Sequence, residues 1–354
     1  MIIDTDGTVL ELVGHDNNHI LTTGISGQGK TYFNVRLLEE AVSLGKSIVV
    51  LDEAHSFQLS ELQEKKCTVI DRLKFHNLKN EEYVFTLSYQ SEEDAGKQVA
   101  SAFIDALGIE QTNSFNQRKL LMECCTNLLK FSGEISFPGL VESLSEIIDD
   151  NTRKRDERDN SNRLLGRLFS VQDMFNFLIV IGDKDSSFDK EAIILQLSDL
   201  PPEVRKLLSG LILALIWREV EMQKDVPRYD VVLFDEFQDL PFHKDSSLEF
   251  ILRQSRKHKL QLILSTQHLK SFNTSQITTL QQASTKVYFK PTDYERGQIA
   301  RSINSDQANL WASTLQHLKR GEAVLQGTYR IKGRSKLLSS PVLVRIMSDI
   351  QDSE

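Results

Sequence analysis

Gly24-Ile25-Ser26-Gly27-Gln28-Gly29-Lys30-Thr31 follows the spacing G-x-x-x-x-G-K-T, the Walker A pattern. Its three glycines let consecutive backbone N–H groups curl inward onto phosphate oxygens. Lys30 supplies a point charge for the β- and γ-phosphates, and the Thr31 hydroxyl can ligand Mg²⁺. A second stretch, Val231-Val232-Leu233-Phe234-Asp235-Glu236, is an apolar run ending in two carboxylates. Asp235 can hold Mg²⁺ directly or through water, and Glu236 is placed to polarise an attacking water. A third, Leu262-Ile263-Leu264-Ser265-Thr266-Gln267, ends an apolar run with a glutamine. Gln267 there can hydrogen-bond the γ-phosphate or that water. Taken singly, these are a glycine-rich turn, a strand ending in acids and a polar loop. Together they point to ATP with Mg²⁺.

Such residues need a sheet edge to meet on. A short strand-like run, 18–22, precedes the glycines. A helix-like run follows, with Phe33, Leu37, Leu38, Ala41 and Leu44 on one side and Gly45 as a stop. The helix start adds its dipole and free N–H groups to the phosphate loop. Ser47 to Asp52, Ala192 to Leu197, Tyr229 to Asp235, Leu260 to Ser265 and Thr285 to Phe289 read as further buried strands, alternating with helical patterns. That alternation predicts an α/β fold with a mostly parallel central sheet.

The span from Lys30 to Asp235 exceeds what a minimal phosphate-loop core needs. Residues 91–185 read as a helical insertion, with one helix opened by the acidic turn Ser91 to Asp94 and others at 116–131, 136–149 and 162–175. The charge-mixed run Arg153 to Asp159 between them reads as a solvated loop. The expected organisation is a short β-hairpin at 1–17 turning at Asp6-Gly7, an ATPase core at 18–90 and 186–346 that includes a strand at 83–87, and a tail at 347–354.

The 354 residues carry a formal net charge of −8, so the surface as a whole is no magnet for nucleic acid; any such contact must be local. Basic candidates lie in 153–167 and 328–336. No apolar run approaches the roughly 20 residues that span a bilayer, and the N-terminus has no signal-peptide pattern. Cys67, Cys124 and Cys125 fit neither a disulfide framework nor a zinc spacing, and read as reduced thiols of a cytoplasmic protein.

Asp52-Glu53-Ala54-His55 spells the DEAH box of a helicase. A single helix separates it from Lys30, where such a helicase has several elements, so Asp52 ends the strand next after the phosphate loop. Asp52 and Glu53 are expected to line the crevice at the strand ends. Arg253, Arg256, Lys257 and Lys259 cluster before the Gln267 strand. They fit either an arginine reaching into a neighbour's nucleotide site or a basic helix end favoured by the dipole.

These stretches together resemble the HerA/FtsK superfamily of ring-forming P-loop ATPases, with the match nearest to HerA-like ATPases. His19-Ile20-Leu21 leading into the loop, Asp52, Asp235-Glu236, Gln267 as a sensor glutamine and Leu318-Lys319-Arg320-Gly321-Glu322-Ala323 follow the order of that family's motifs. The resemblance implies a RecA-like core. It also implies that Arg256, in Ser255-Arg256-Lys257-His258-Lys259, acts on the adjacent subunit. Ser255 and Lys259 replace the family's glycines there, and His268-Leu269-Lys270 departs from its usual sequence after the glutamine. The first 17 residues are too few for the β-barrel that HerA proteins carry.

The resemblance further implies a homo-oligomer, a hexamer in its usual form, that moves DNA through a central pore. Two alternatives come with it. One is a regulatory ring that scaffolds a separately encoded effector, such as a nuclease or NADase in anti-phage defence. The other is a secretion or conjugation motor.

Overall fold

The computed structural model describes residues 2–4, 6–13, 18–89, 91–109, 115–174, 176–182, 191–222, 229–254 and 259–346. Runs such as Val231–Asp235, Ile48–Asp52 and Ile20–Thr23 are buried at every position. A strand covered on both faces has no reason to alternate in polarity, so these sequences are continuously apolar. They belong to a stretch of seven parallel strands in the order Thr285–Tyr288, Ile20–Thr23, Gln261–Thr266, Val231–Asp235, Ile48–Asp52, Ala192–Gln196 and Leu73–Asn77. The sheet continues antiparallel through Glu322–Gln326, Val342–Ile346, Ile2–Asp4, Val9–Leu12, Tyr329–Ile331 and Leu337–Leu338, making 13 strands in all.

The two faces of the sheet feed two apolar cores. Val231, Leu233, Ile48 and Val50 point into one core, with Phe33, Leu38 and Val42 of the helix Lys30–Ser43. Val232, Phe234, Val49 and Leu51 point into the other, beneath the long helix Pro202–Met222. The period-two alternation of side chains along each strand makes this division.

The second core runs on without a break into the helical insertion. Helices Glu92–Ala106, Phe115–Ser132, Phe137–Asp149 and Arg155–Leu168 pack on one another, and the first of them packs on Pro202–Met222. Ser91 and Ser136 cap two of these helices, accepting N–H bonds from Asp94 and Gly139, each at 3.1 Å. Gly96 permits a close approach: a Cβ there would lie 2.5 Å from Thr126 Oγ1 and 2.7 Å from Thr126 Cα.

Two local expectations change. Tyr83–Leu87 forms, but not in the core sheet. It pairs parallel with Phe177–Ile181, which in turn pairs antiparallel with Glu134–Ser136, in a separate three-stranded sheet. The run Arg153–Asp159 is a loop only at its start, because the helix begins at Arg155 and ends at Leu168, ahead of a 3₁₀ turn at Phe169–Val171. Arg155 and Asp159 face each other one turn apart (3.8 Å), and Arg153 pairs with Glu123 and lies 3.9 Å from Glu157. Opposite charges at that spacing support a helix as readily as a solvated loop. Cys67, Cys124 and Cys125 are buried free thiols, and no described helix is long and apolar enough to cross a membrane.

Candidate functional site

The parallel register lines up the chemistry-bearing residues. Asp235 stands beside Asp52 on one side and Ser265 on the other, while Thr266 stands beside Thr23, the last residue before the phosphate loop. His19 helps fix this alignment. It is fully buried, and its Nδ1 accepts from the Leu262 N–H (2.9 Å) while its Nε2 donates to the Ile251 carbonyl (3.1 Å). Burial pushes its pKa down to about 4, so it is a neutral pin at the start of the phosphate-loop strand.

The loop Gly24–Gly29 then turns over the sheet edge. Gly24 has φ +148, and a Cβ there would lie 2.6 Å from Phe289 Cβ, so glycine is required on both counts. The Ile25 N–H donates to the Lys290 carbonyl (2.9 Å), and the Gln28 carbonyl accepts from the Gly321 N–H (2.9 Å). Gly29, left-handed at φ 115, precedes the helix Lys30–Ser43. The loop is thereby held from both flanks with its helix N-terminus facing a cavity of about 500 Å³.

Ser26, Gly27, Gly29, Lys30 and Thr31 line that cavity from one side; Asp235, Glu236 and Gln267 line it from the other. The Lys30 ammonium is folded onto its own loop, donating to the Gly24 carbonyl at 2.6 Å and the Ile25 carbonyl at 3.2 Å. Burial lowers its pKa, against the pull of Glu236 and Asp235. Asp235 is raised to about 6, chiefly by burial; the Ser56 hydroxyl hydrogen-bonds it, and the charges of Glu236 and Asp52 add to the upward shift. Glu236 adopts the left-handed region, φ 70 and ψ 55, a rare placement for a side-chain-bearing residue. Gln267 holds it there: the side-chain amide donates to Oε1 at 2.8 Å and the backbone N–H to Oε2 at 3.3 Å.

Asp52 and Glu53 do not line the cavity. The Asp52 carboxylate accepts N–H bonds from Ala54 (3.3 Å), Ser56 (2.8 Å) and Phe57 (3.1 Å), so it shapes the loop that presents Ser56 to Asp235. Glu53 turns inward, where it accepts from Ser209 (2.5 Å), while Arg205 donates to its carbonyl (2.6 Å). Burial raises its pKa to about 7. His55, with φ 59, lines the cavity and is held by Gln58 and by Ser198.

Arg256 lies outside the described residues. Arg253 is described; it pairs with Glu249 on its own helix (3.4 Å), is 58% exposed and does not line the cavity. Residues that carried no assigned role in the sequence also line it, among them His55, Ser56 and Arg320. The first two follow Asp52 in a tight loop, and Arg320 sits in the turn just before the strand Glu322–Gln326.

The donor set fits a hard divalent cation bound together with a phosphate chain: one carboxylate at Asp235, one hydroxyl at Thr31, the remaining positions open to water and phosphate oxygens. A cation bound there would offset the burial and the neighbouring charges of Glu236 and Asp52 that push the Asp235 pKa up.

The family described as helicase HerA, central domain, matches residues 11–216, more than half of the chain. Among solved structures, VirB4 of Thermoanaerobacter pseudethanolicus aligns with a TM-score of 0.67 at 16% identity, covering 98% of this chain and 96% of that one. The plasmid coupling protein TrwB in complex with ADP and Mg²⁺ aligns with a TM-score of 0.60 at 12% identity, covering 94% and 86%. No curated protein sequence matches. At such identities the two structures speak to the fold, a RecA-like P-loop NTPase core with a mostly parallel sheet.

Proposed function

The chain belongs to the HerA central-domain family, and from that premise we propose that it is a ring-forming ATP hydrolase that couples ATP turnover to DNA translocation or processing. The observation that carries the hydrolase reading is the convergence of Lys30 and Thr31 with Asp235, Glu236 and Gln267 around one cavity at the strand ends. In this reading the loop N–H groups and Lys30 bind the phosphate chain, and Thr31 and Asp235 hold Mg²⁺. Bound there, Mg²⁺ would neutralise charge on the β- and γ-phosphates. Glu236 accepts a proton from the attacking water, and Gln267 positions that water once it has released Glu236.

Ring formation enters through Arg256, proposed to act on the neighbouring subunit's site. DNA contact is assigned to basic side chains such as Lys332, Arg334 and Lys336, exposed at the far antiparallel edge of the sheet. In the other basic stretch, Arg153 is taken up by Glu123.

The test measures ATP hydrolysis, and mass with and without ATP and duplex DNA. Hydrolysis by the parent that is lost in Glu236→Gln supports the site. Arg256→Ala and Lys30→Ala, each inactive alone, should regain partial activity when co-assembled, because mixed rings contain some intact interfaces. No change of mass with ATP, and no DNA binding at low salt, would overturn the ring and translocase parts while leaving the hydrolase standing.

A further inference from the structure

The cavity holds a cation that the reading above leaves without work. Of the cations lining it, Lys30 donates to its own loop, and Lys65 is paired with Glu61. Arg320 has no hydrogen-bond or ion-pair partner among the described residues, and it lies in the turn between the helix Ala308–Gln316 and the strand Glu322–Gln326.

That turn is built onto the phosphate loop. The Gly321 N–H donates to the Gln28 carbonyl (2.9 Å), and the Gly321 carbonyl accepts from Ile346 (2.8 Å). Gly321 Cα lies 3.4 Å from where a Gly29 Cβ would sit. The one carboxylate beside the turn, Glu322, is taken up by the Lys319 N–H (3.0 Å) and by Arg345 (3.4 Å), so among the described residues no carboxylate pairs with Arg320.

Sheet order says which part of a nucleotide Arg320 would meet. Its strand lies two places from the Ile20–Thr23 strand on one side, beyond Thr285–Tyr288. The Asp235 strand lies two places away on the other, beyond Gln261–Thr266. Arg320 and Glu236 therefore flank the phosphate loop from opposite sides. Since Glu236 marks the end where the γ-phosphate is transferred, Arg320 faces the end that stays behind. A guanidinium offers a planar fork that suits two phosphate oxygens at once.

We propose that Arg320 is a nucleotide-binding residue acting within its own subunit, donating to the α- and β-phosphates and so setting affinity for ADP and ATP alike rather than the rate of γ-phosphoryl transfer. This rests on the ATP-hydrolase reading of the site.

The experiment is a titration of the intact chain with a fluorescent ADP analogue in Mg²⁺, which reads binding without turnover, alongside kcat at saturating ATP. Arg320→Ala should raise the Kd for ADP by roughly 10- to 100-fold, the range for a lost charge-assisted hydrogen bond. Arg320→Lys should recover part of it, and kcat should stay within about threefold of the parent, since interactions equal in ground and transition states leave kcat alone. The nucleotide-free melting temperature should not move, because the bonds of the turn are made by the backbone and Glu322. Parent-like ADP affinity in Arg320→Ala overturns this proposal alone. So does a fall in kcat at unchanged Kd, or a melting loss that Arg320→Lys does not repair. A parent protein that binds no ADP overturns the hydrolase reading and this proposal together.

Discussion

Charges at the carboxyl edge of the sheet and charges in the helical insertion are arranged on opposite principles. At the edge, Asp52, Glu53, Asp235 and Glu236 crowd together, and burial raises the first three above the usual carboxylate range. Lys30, whose charge acts on Asp235 and Glu236, bonds to backbone carbonyls instead of to either of them. In the insertion several carboxylates have a cation: Glu93 with Lys97, Glu123 with Arg153, Glu157 with Lys119. Asp52 and Glu53 are satisfied by backbone N–H groups and by Ser209, whereas Asp235 and Glu236 line the cavity, where a site that receives a cation and a polyanion has use for them. The contrast sorts the molecule into a part strained for chemistry and a part satisfied for packing.

The comparison breaks first if the edge tolerates substitution. Glu236→Gln should keep nucleotide binding and lower kcat by roughly 10²- to 10⁴-fold, the usual worth of a positioned general base. Lys30→Ala should instead weaken binding of ATP and ADP, which calorimetry would read. In the insertion, Arg153→Ala should leave both quantities unchanged. If it lowers kcat as Glu236→Gln does, the division into two parts is wrong.

A packing change should act in the reverse sense. Gly96→Ala forces a Cβ against Thr126, whose Cα cannot retreat as a side-chain tip could. Overpacking of this kind costs about 1–3 kcal/mol, visible as a lower denaturation midpoint. The folded fraction should still bind ADP with parent affinity. A variant as stable as the parent would mean that the helices Glu92–Ala106 and Phe115–Ser132 slide apart at no cost.

The same contrast explains what could be read from the sequence. A strand covered on both faces leaves an unbroken apolar run, so Val231–Asp235 and the acids at its end were legible, as was the glycine spacing of the loop. The partner of a strand is not local information. Tyr83–Leu87 was read as a strand but not as a neighbour of Phe177–Ile181, because both are equally apolar. Asp52 was legible as a strand-end acid, yet its three backbone partners are set by the path of residues 53–57. Residues 155–159 looked like solvent-facing loop because the buried side of their helix begins only at Asn160, and their support comes from ion pairs. Arg320 is nearly the whole chain away from the loop it flanks, and only the folded sheet brings them together.

The smallest effect should appear at the seam between the two parts. His243, in the loop after the Asp235 strand, lies 3.3 Å from the Asp105 carboxylate at the end of the insertion's first helix. Asp105 also accepts from the Ser247 N–H (2.8 Å), which anchors the start of the next core helix. The hydrogen bond to the Asp105 side chain raises the His243 pKa to about 9. A histidine with a raised folded-state pKa stabilises the fold fully below its unfolded value near 6.5, and that contribution fades as pH rises through about 9. The imidazole is 40% exposed, so screening holds the expected size to about 0.2–1 kcal/mol. His243→Gln should therefore melt slightly below the parent at pH 6 and coincide with it at pH 10. Asp105→Asn should cost more at pH 6 and keep part of its deficit at pH 10, because the bond to Ser247 does not depend on His243 being charged. If the His243→Gln deficit is the same at both pH values, the contact is packing alone, and the seam joins the two parts without any charge passing between them.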